Sequence, residues 1–396
     1  MENLKKNIYK DYLFTLITRF DLTHGIWLLY LASKGLNLFQ IGLMETIYHI
    51  SSFLMEIPTG AVADIFGRKT SRVLGRVSTC VAITIMIFGN NVIWFAVSFF
   101  FTALGNNLES GAGDALIYDS LKELNIENDY IKVRGRNELF FQIAKTFSLI
   151  IGGYIATLSY TNVYMIALVF AAISIIHAFS FTEPQIGRVQ KKQNIWKTFS
   201  HQVVSSFKVM SGKKELVEMI IALEIFSTFY TTEFFYMQNH LKSLGHSEFQ
   251  IGIILSIGAL LAAFNATQAY KLEARFKIKK ILTVTIIAAV VLFWGMTING
   301  VEKYAFIFLT AIEGLLFVVM GDYINKLIPS DKRATILSFQ SMIFSLFMIV
   351  LFPIVGKLGD HYGLRNAFIL VAVGATISLF ILGRIIQKRN NAKQVE

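Results

Sequence analysis

The sequence predicts an all-α membrane protein with twelve transmembrane helices in two six-helix bundles and both termini in the cytoplasm. Composition, the length of the apolar runs and the placement of Lys and Arg support this prediction. Of 396 residues, 54% are hydrophobic and only 16% are charged, whereas soluble domains are about one quarter charged. A soluble core could not bury so much apolar surface, so lipid must solvate it. Only helices and closed barrels satisfy their backbone polar groups in lipid.

The apolar runs have the length of membrane-spanning helices and do not alternate with polar residues as the strands of a barrel would. We expect spans at residues 11–33, 38–63, 71–89, 92–119, 137–159, 161–182, 215–240, 247–270, 279–299, 302–325, 334–356 and 364–386. A longer polar and basic segment, 183–214, divides them. Its part from 196 to 210 has the spacing of an amphipathic helix lying on the inner leaflet. We therefore expect a first bundle at 1–182, a linker at 183–214 and a second bundle at 215–396.

Basic residues are concentrated in alternate loops, which orients the chain. Positive residues favour the cytoplasmic side, so both termini are predicted to be cytoplasmic. The net charge of +11 then reflects topology and attraction to anionic lipid rather than nucleic-acid binding. The single cysteine, Cys80, excludes a disulfide framework and is expected to be a small buried side chain.

The polar stretch GAVADIFGRK interrupts the apolar pattern between spans 2 and 3, and a weaker echo, GKLGDHYGLR, follows span 11 at 356–365. With the six-plus-six layout, this stretch resembles the major facilitator superfamily of transporters, and bacterial drug/proton antiporters in particular. The resemblance implies a gating motif in which Asp64 faces the start of span 11 and Arg68 reaches an acid that ends span 4. The alternative is an ordinary turn. The expected gating residues are Gly60, Asp64, Gly67, Arg68, Lys69 and Asp119.

The resemblance also implies that spans 1, 4, 7 and 10 line a central cavity, and each of them carries acids. An acidic cavity favours cations or protons. For Glu109 we expect contact with substrate or proton, and for Asp114 a pair with Lys145, the alternative being two structural acids. The expected cavity residues on these spans are Asp21 with His24, Glu109, Asp114, Glu224, Glu233 and Glu313.

Span 2 contributes a second polar row, in which Glu45, His49 and Glu56 share one helix face. A carboxylate–imidazole row of this kind could relay protons. The alternative places Glu45 near the outer interface, pairs Glu56 with a basic loop residue and leaves His49 as a hydrogen-bonded core residue.

These observations favour proton-coupled efflux of amphipathic cationic or zwitterionic small molecules across a bacterial plasma membrane. A proton symporter that imports a nutrient or siderophore-like solute is the alternative, because span 5 lacks the Gly-Pro element found in many antiporters. A non-transporting receptor would be expected to carry a large added domain. The chain has no P-loop, Cys/His metal cluster or nucleophile elbow, so we expect no enzyme activity and no cofactor. Expected partners are a small-molecule substrate, protons and lipids, with a monomeric protein.

Overall fold

The computed structural model describes residues 2–186, 214–276, 278–327 and 333–392, and their secondary structure is helical. The predicted amphipathic helix at 196–210 lies outside the described residues. The helices are α1 Glu2–Arg19, α2 Trp27–Ser33, α3 Leu38–Phe66, α4 Arg68–Phe88, α5 Val92–Glu123, a 3-10 turn at Glu127–Asp129, α6 Tyr130–Leu158, α7 Tyr160–Phe179, α8 Lys214–Ser243, α9 Glu248–Arg275, α10 Ile278–Gly295, α11 Glu302–Leu327, α12 Arg333–Tyr362 and α13 Leu364–Ala392.

Eight helical stretches within the described part of the chain are long and apolar enough to cross a membrane, and they lie in α4, α5, α6, α7, α9, α11, α12 and α13. Helices α3 and α8 have 29 and 30 residues. They do not reach the same apolar content, and both carry acids that the sequence predicts as site residues. The all-helical membrane fold is confirmed, while the count of twelve spans and the side of the termini stay predictions.

The predicted first span is interrupted, and the sequence prediction of one continuous helix at 11–33 is wrong. Helix α1 ends at Arg19 and α2 begins at Trp27. Between them, one carboxylate oxygen of Asp21 accepts hydrogen bonds from the amide of Thr23 at 2.9 Å and from its hydroxyl at 2.6 Å. This local side-chain bonding competes with helical backbone bonds, so Asp21 and His24 lie in a turn.

The chain folds into two compact units. The first contains Met1–Tyr30, Ile47–Phe199 and Glu248–Gly252, and the second contains Leu31–Thr46, Ser200–Ser247 and Ile253–Glu396. The predicted division into 1–182, 183–214 and 215–396 stays a prediction, and two short segments of the observed units come from the other half of the sequence. The start of α3 belongs with the second half of the sequence, and the start of α9 belongs with the first half.

Small residues allow close helix packing in both units. In the first unit, a Cβ at Gly105 would lie 2.9 Å from the backbone oxygen of Gly75, so α4 and α5 approach to backbone contact. In the second unit, a Cβ at Gly356 would lie 2.3 Å from the backbone oxygen of Leu38. Such contacts replace the missing hydrophobic driving force between helices in lipid.

Candidate functional site

The turn between α3 and α4 is stabilised by a carboxylate from a distant part of the chain. Glu183, which follows α7, accepts hydrogen bonds from the backbone amides of Arg68 and Lys69, each at 2.7 Å. Gly67 has a φ of +99°, and a Cβ there would lie 2.7 to 2.9 Å from the Glu183 carboxylate. A negative charge at a helix N-terminus is favourable, so both glycine and glutamate have a defined function in this turn.

The side chain of Arg68 contacts two acids. Its NH1 atom lies 2.6 Å from Oδ1 of Asp64, and its Nε atom lies 3.8 Å from Oδ2 of Asp119 near the end of α5. The motif residues therefore form a charge cluster with the acid expected from the resemblance. The gating role of this cluster stays a prediction, as does a contact of Asp64 with span 11.

The echo of the motif after span 11 caps a second helix. The carboxylate of Asp360, in α12, accepts hydrogen bonds from the amides of Leu38 and Phe39 at the start of α3, each at 2.9 Å. The hydroxyl of Tyr236 donates near the same place, 3.1 Å from the backbone oxygens of Leu38 and Phe352. All of these residues belong to the second unit. The echo thus holds the start of α3 against α12.

A buried ion-pair network occupies the core of the first unit. The NH2 atom of Arg72 lies 2.9 Å from Oδ1 of Asp11 and 2.9 Å from Oε1 of Glu109. Its Nε atom donates to the same glutamate oxygen at 3.0 Å, and Asn137 donates to the second oxygen of Asp11. The Arg72 side chain is only 3% exposed, so the guanidinium links α1, α4 and α5 away from water.

Two aromatic rings flank this guanidinium. The Cζ atom of Arg72 lies 4.2 Å from the ring centroid of Phe14 and 4.5 Å from that of Phe181. Arg76, one helical turn later, lies 5.9 Å from the centroid of the same Phe14 ring. Cation–π attraction gains strength when the cation is desolvated. The rings therefore both hold Arg72 and exclude water from it.

Three buried polar atoms of this region have no hydrogen-bond partner among the described residues. They are NH1 of Arg72, Nε of Arg76 and Oε2 of Glu109. Buried polar atoms are normally hydrogen-bonded. These two donors and one acceptor are the groups with which a polar ligand would form hydrogen bonds.

The structure corrects one predicted pair. Asp114 binds Arg134, with 2.8 Å between Oδ1 and NH1, instead of the expected Lys145. Both side chains are about half exposed. The pair joins α5 to the beginning of α6, where the chain returns after a short loop.

The predicted polar row on α3 is only partly buried. Glu45 and His49 are buried, and both make contacts with other residues, whereas Glu56 is exposed. Between His49 and Glu56, the hydroxyl of Ser52 donates to Oδ1 of Asn107 at 2.8 Å. Proton relay along this row stays a prediction.

The acids of the second unit lie in contrasting environments. Glu224 accepts a hydrogen bond from Nε2 of Gln340 at 2.6 Å. Glu233 is fully buried, and neither of its carboxyl oxygens has a hydrogen-bond partner among the described residues. Glu313, on α11, is half-buried and contacts other residues.

Sequence reasoning missed Asp11, Arg72, Asn137 and Glu183. A usable signal was the spacing of Arg68, Arg72 and Arg76, because steps of four place all three on one face of α4. Within the described residues, no group of His, Cys, Asp and Glu has the arrangement of a metal site.

The chain is similar in sequence to known membrane transporters. Residues 13–342 match the family model described as Major Facilitator Superfamily. The chain is 25% identical over 384 residues to the uncharacterized MFS-type transporter YxaM of Bacillus subtilis (strain 168), covering 94% of this chain and 93% of YxaM. It is also 24% identical over 232 residues to an uncharacterized transporter of Buchnera aphidicola subsp. Baizongia pistaciae (strain Bp), covering 58% and 56% of the two chains.

Solved transporters share the fold. The nucleoside transporter NupG superposes with a TM-score of 0.79 at 13% identity, covering 96% of this chain and 99% of NupG. A D-xylose-proton symporter superposes with a TM-score of 0.70 at 14% identity, covering 96% of both chains. At such low identity, the likeness concerns the fold alone.

Proposed function

Because this chain belongs to the Major Facilitator Superfamily, we propose that it is a proton-coupled secondary transporter that exports amphipathic, cationic or zwitterionic small molecules from a bacterial cell. Transport would proceed by alternating access, in which the two halves rock around a site near the membrane midplane. The proton gradient supplies the energy, and no cofactor is needed. The family membership itself establishes a membrane transporter with a small-molecule substrate, while the coupling ion and the direction are our proposal.

The proposal of proton coupling rests on the environment of Glu233. Its side chain is fully buried in α8, and its two carboxyl oxygens lack hydrogen-bond partners among the described residues. An ionised carboxylate without a partner is very costly in an apolar environment. Binding one proton removes that cost, so the buried side chain is suited to carry a proton as a neutral carboxylic acid.

Proton release then requires a second environment for the same side chain. The ionised form of the carboxyl group is stabilised when water or a cation reaches it. Alternating access admits water by opening the site to one side of the membrane at a time. Glu224, nine residues earlier on α8, already has an amide partner in Gln340. We therefore assign the proton to Glu233 and expect Glu224 to have a positioning role.

The proposal of export is supported by the motif and by the acid-rich spans. The symport alternative differs in the direction of proton movement relative to the substrate. Antiport moves substrate and proton in opposite directions, whereas symport moves them together. A transport assay that records both fluxes distinguishes these two functions directly.

The test uses purified full-length protein in proteoliposomes that contain a pH-sensitive dye. The probes are ethidium as a cation and norfloxacin as a zwitterion, each added under an imposed proton gradient and, separately, in counterflow without a gradient. The wild type is compared with Glu233→Gln and with a matched control, Glu138→Gln. Within the described part of the chain, the exposed carboxylate of Glu138 binds a neighbouring glutamine on its own helix at 2.7 Å.

We expect Glu233→Gln to abolish substrate-linked proton movement while counterflow of the transported probe continues, because exchange needs no proton transfer. The control should retain both activities. Proton movement that persists in Glu233→Gln would overturn the assignment of the proton to this residue. Proton movement in the direction of the substrate would establish symport, and no proton signal with either probe would reject proton-coupled export of this class.

A further inference from the structure

We propose that Arg72, Arg76 and Glu109 form a substrate-binding site for the polar end of a zwitterion, in which a carboxylate lies close to an ammonium group. This inference deepens the proposed transport function and assigns the chemistry of its substrate. It rests on the hydrogen-bonding capacity that the core of the first unit leaves unused.

Arg76 is the first element of the site. Its guanidinium is buried, its Nε atom has no hydrogen-bond partner, and within the described residues no ion pair reaches it. The charged groups that act on it are Glu109 and Asp21, of opposite sign, and Arg19 and Arg72, of the same sign. Buried charges in proteins are normally paired or bind a ligand. Arg76 therefore has the character of an anion-binding residue.

Three of the four carboxylate oxygens of Asp11 and Glu109 already bind other side chains, which leaves one glutamate oxygen beside the two arginines. Asp11 accepts from Arg72 with one oxygen and from Asn137 with the other. Glu109 directs Oε1 to Arg72 through two contacts, at 2.9 and 3.0 Å. What remains is a set of two donors and one acceptor, namely NH1 of Arg72, Nε of Arg76 and Oε2 of Glu109.

This set matches the polar end of an amino-acid-like zwitterion. Guanidinium groups bind carboxylates through planar, charge-assisted hydrogen bonds, and the free glutamate oxygen can accept from an ammonium group. Both arginines lie over the ring of Phe14, at 4.2 and 5.9 Å from its centroid. Arg72 is fixed in advance by its two acids, so little side-chain entropy is lost when a ligand binds.

The same two donors and one acceptor restrict the class of substrate that the site would bind. A cation without a carboxylate would meet two guanidinium groups and would leave their donors unpartnered, which costs affinity. A simple anion would bind the arginines but would leave Oε2 of Glu109 without a partner. A zwitterion satisfies all three atoms, so among cationic and zwitterionic compounds the site selects the latter.

Three very small probes test this site without depending on the shape of the natural substrate. They are glycine, formate and glycinamide, which represent a zwitterion, a carboxylate and a cation. Their binding to the purified full-length protein in detergent is followed by the shift in thermal unfolding temperature at constant ionic strength. The variants are Arg76→Gln, Arg76→Lys, Glu109→Gln and the control Arg384→Gln, which removes an exposed arginine stacked on Phe380.

We expect glycine to stabilise the wild type most, formate less, and glycinamide not at all. Arg76→Gln should weaken glycine and formate binding roughly ten- to hundredfold, the value of a charge-assisted hydrogen bond. Arg76→Lys should weaken it less, because it keeps the charge but loses the planar fork. Glu109→Gln should remove the advantage of glycine over formate, while Arg384→Gln should bind like the wild type.

Two results would overturn the inference. One is the absence of stabilisation of the wild type by both carboxylates, and the other is an unchanged glycine response in Arg76→Gln. Unfolding temperatures without ligand show whether each variant is folded. The outcome is independent of proton coupling, because ligand binding in detergent is measured without a proton gradient and without transport.

Discussion

Replacing Arg72 with methionine should lower the free energy of unfolding by about 3–5 kcal/mol, the cost typical of breaking a buried ion pair by removing one partner. The guanidinium makes contacts of 2.9 to 3.0 Å with two carboxylates, and its side chain is 3% exposed. Methionine keeps the apolar contact with Phe14 and Phe181 but leaves Asp11 and Glu109 as two buried acids without their shared cation.

The expected effect is large enough to measure by thermal unfolding in detergent. In a large domain, each kcal/mol lowers the unfolding temperature by about 2 °C, which gives a decrease of roughly 6–10 °C. The matched control is Arg134→Met, because Arg134 also pairs with an acid on α5, at 2.8 Å, but both partners are about half exposed. Exposed pairs contribute about 0–1 kcal/mol, so the control should lose about 2 °C at most.

A charge-cancelling series checks the cause of this effect. In the Arg72→Met background, Asp11→Asn and Glu109→Gln remove the two stranded charges, and together they should restore a substantial part of the lost stability. A wild-type unfolding temperature for Arg72→Met would refute the reasoning. So would a triple variant no more stable than Arg72→Met, because the loss would then come from packing rather than from unpaired charge.

Three further predictions concern the helix ends and glycine contacts. Glu183→Gln should cost about 1 kcal/mol and speed hydrogen exchange at the first amides of α4, whereas unchanged exchange would show that the carboxylate does not protect them. Asp360→Asn leaves one carbonyl oxygen for two amides, so exchange at the start of α3 should accelerate, while α4 serves as the internal control. Gly252→Ala should lower the unfolding temperature, because its Cβ would lie 2.4 Å from the backbone oxygen of Leu149. The control Gly111→Ala has open space around the new Cβ and should be neutral or stabilising. Equal effects of the two substitutions would contradict the role of the contact.

The sequence was sufficient for the fold class and for the motif turn, since both depend on local signals. Apolar runs of spanning length and the spacing of Gly67 and Arg68 are readable without tertiary information. Asp119 was also accessible, because the resemblance indicated where an acid should lie. The interrupted first span was not anticipated, because the bonding of Asp21 to Thr23 outweighs the apolar character of the residues around it.

The spacing of the arginines on α4 was readable, but the pairing within the buried network could not be predicted from the sequence, because its members come from four separate segments. The neighbouring sequence does not distinguish Arg72, which is buried, from Arg68, which lies at the turn. Both arginines fit the positive-inside pattern. Pairing is decided by which helices pack together, and this also explains why Asp114 selects Arg134 over the expected Lys145. The lack of a hydrogen-bond partner for Glu233 among the described residues likewise depends on the helices that surround α8.

The contact between Asp360 and the start of α3 has a consequence for biosynthesis. The residues involved are 322 positions apart, and a ribosome adds about 5–20 residues per second. About 15–60 s therefore pass between the synthesis of α3 and that of the carboxylate that caps it. During this interval a local capping box is available, in which Asn37 and Gln40 exchange side-chain-to-backbone bonds of 3.1 and 2.8 Å. Helix α3 can thus form early in the nascent chain, and Asp360 joins it only after 322 further positions have been synthesised.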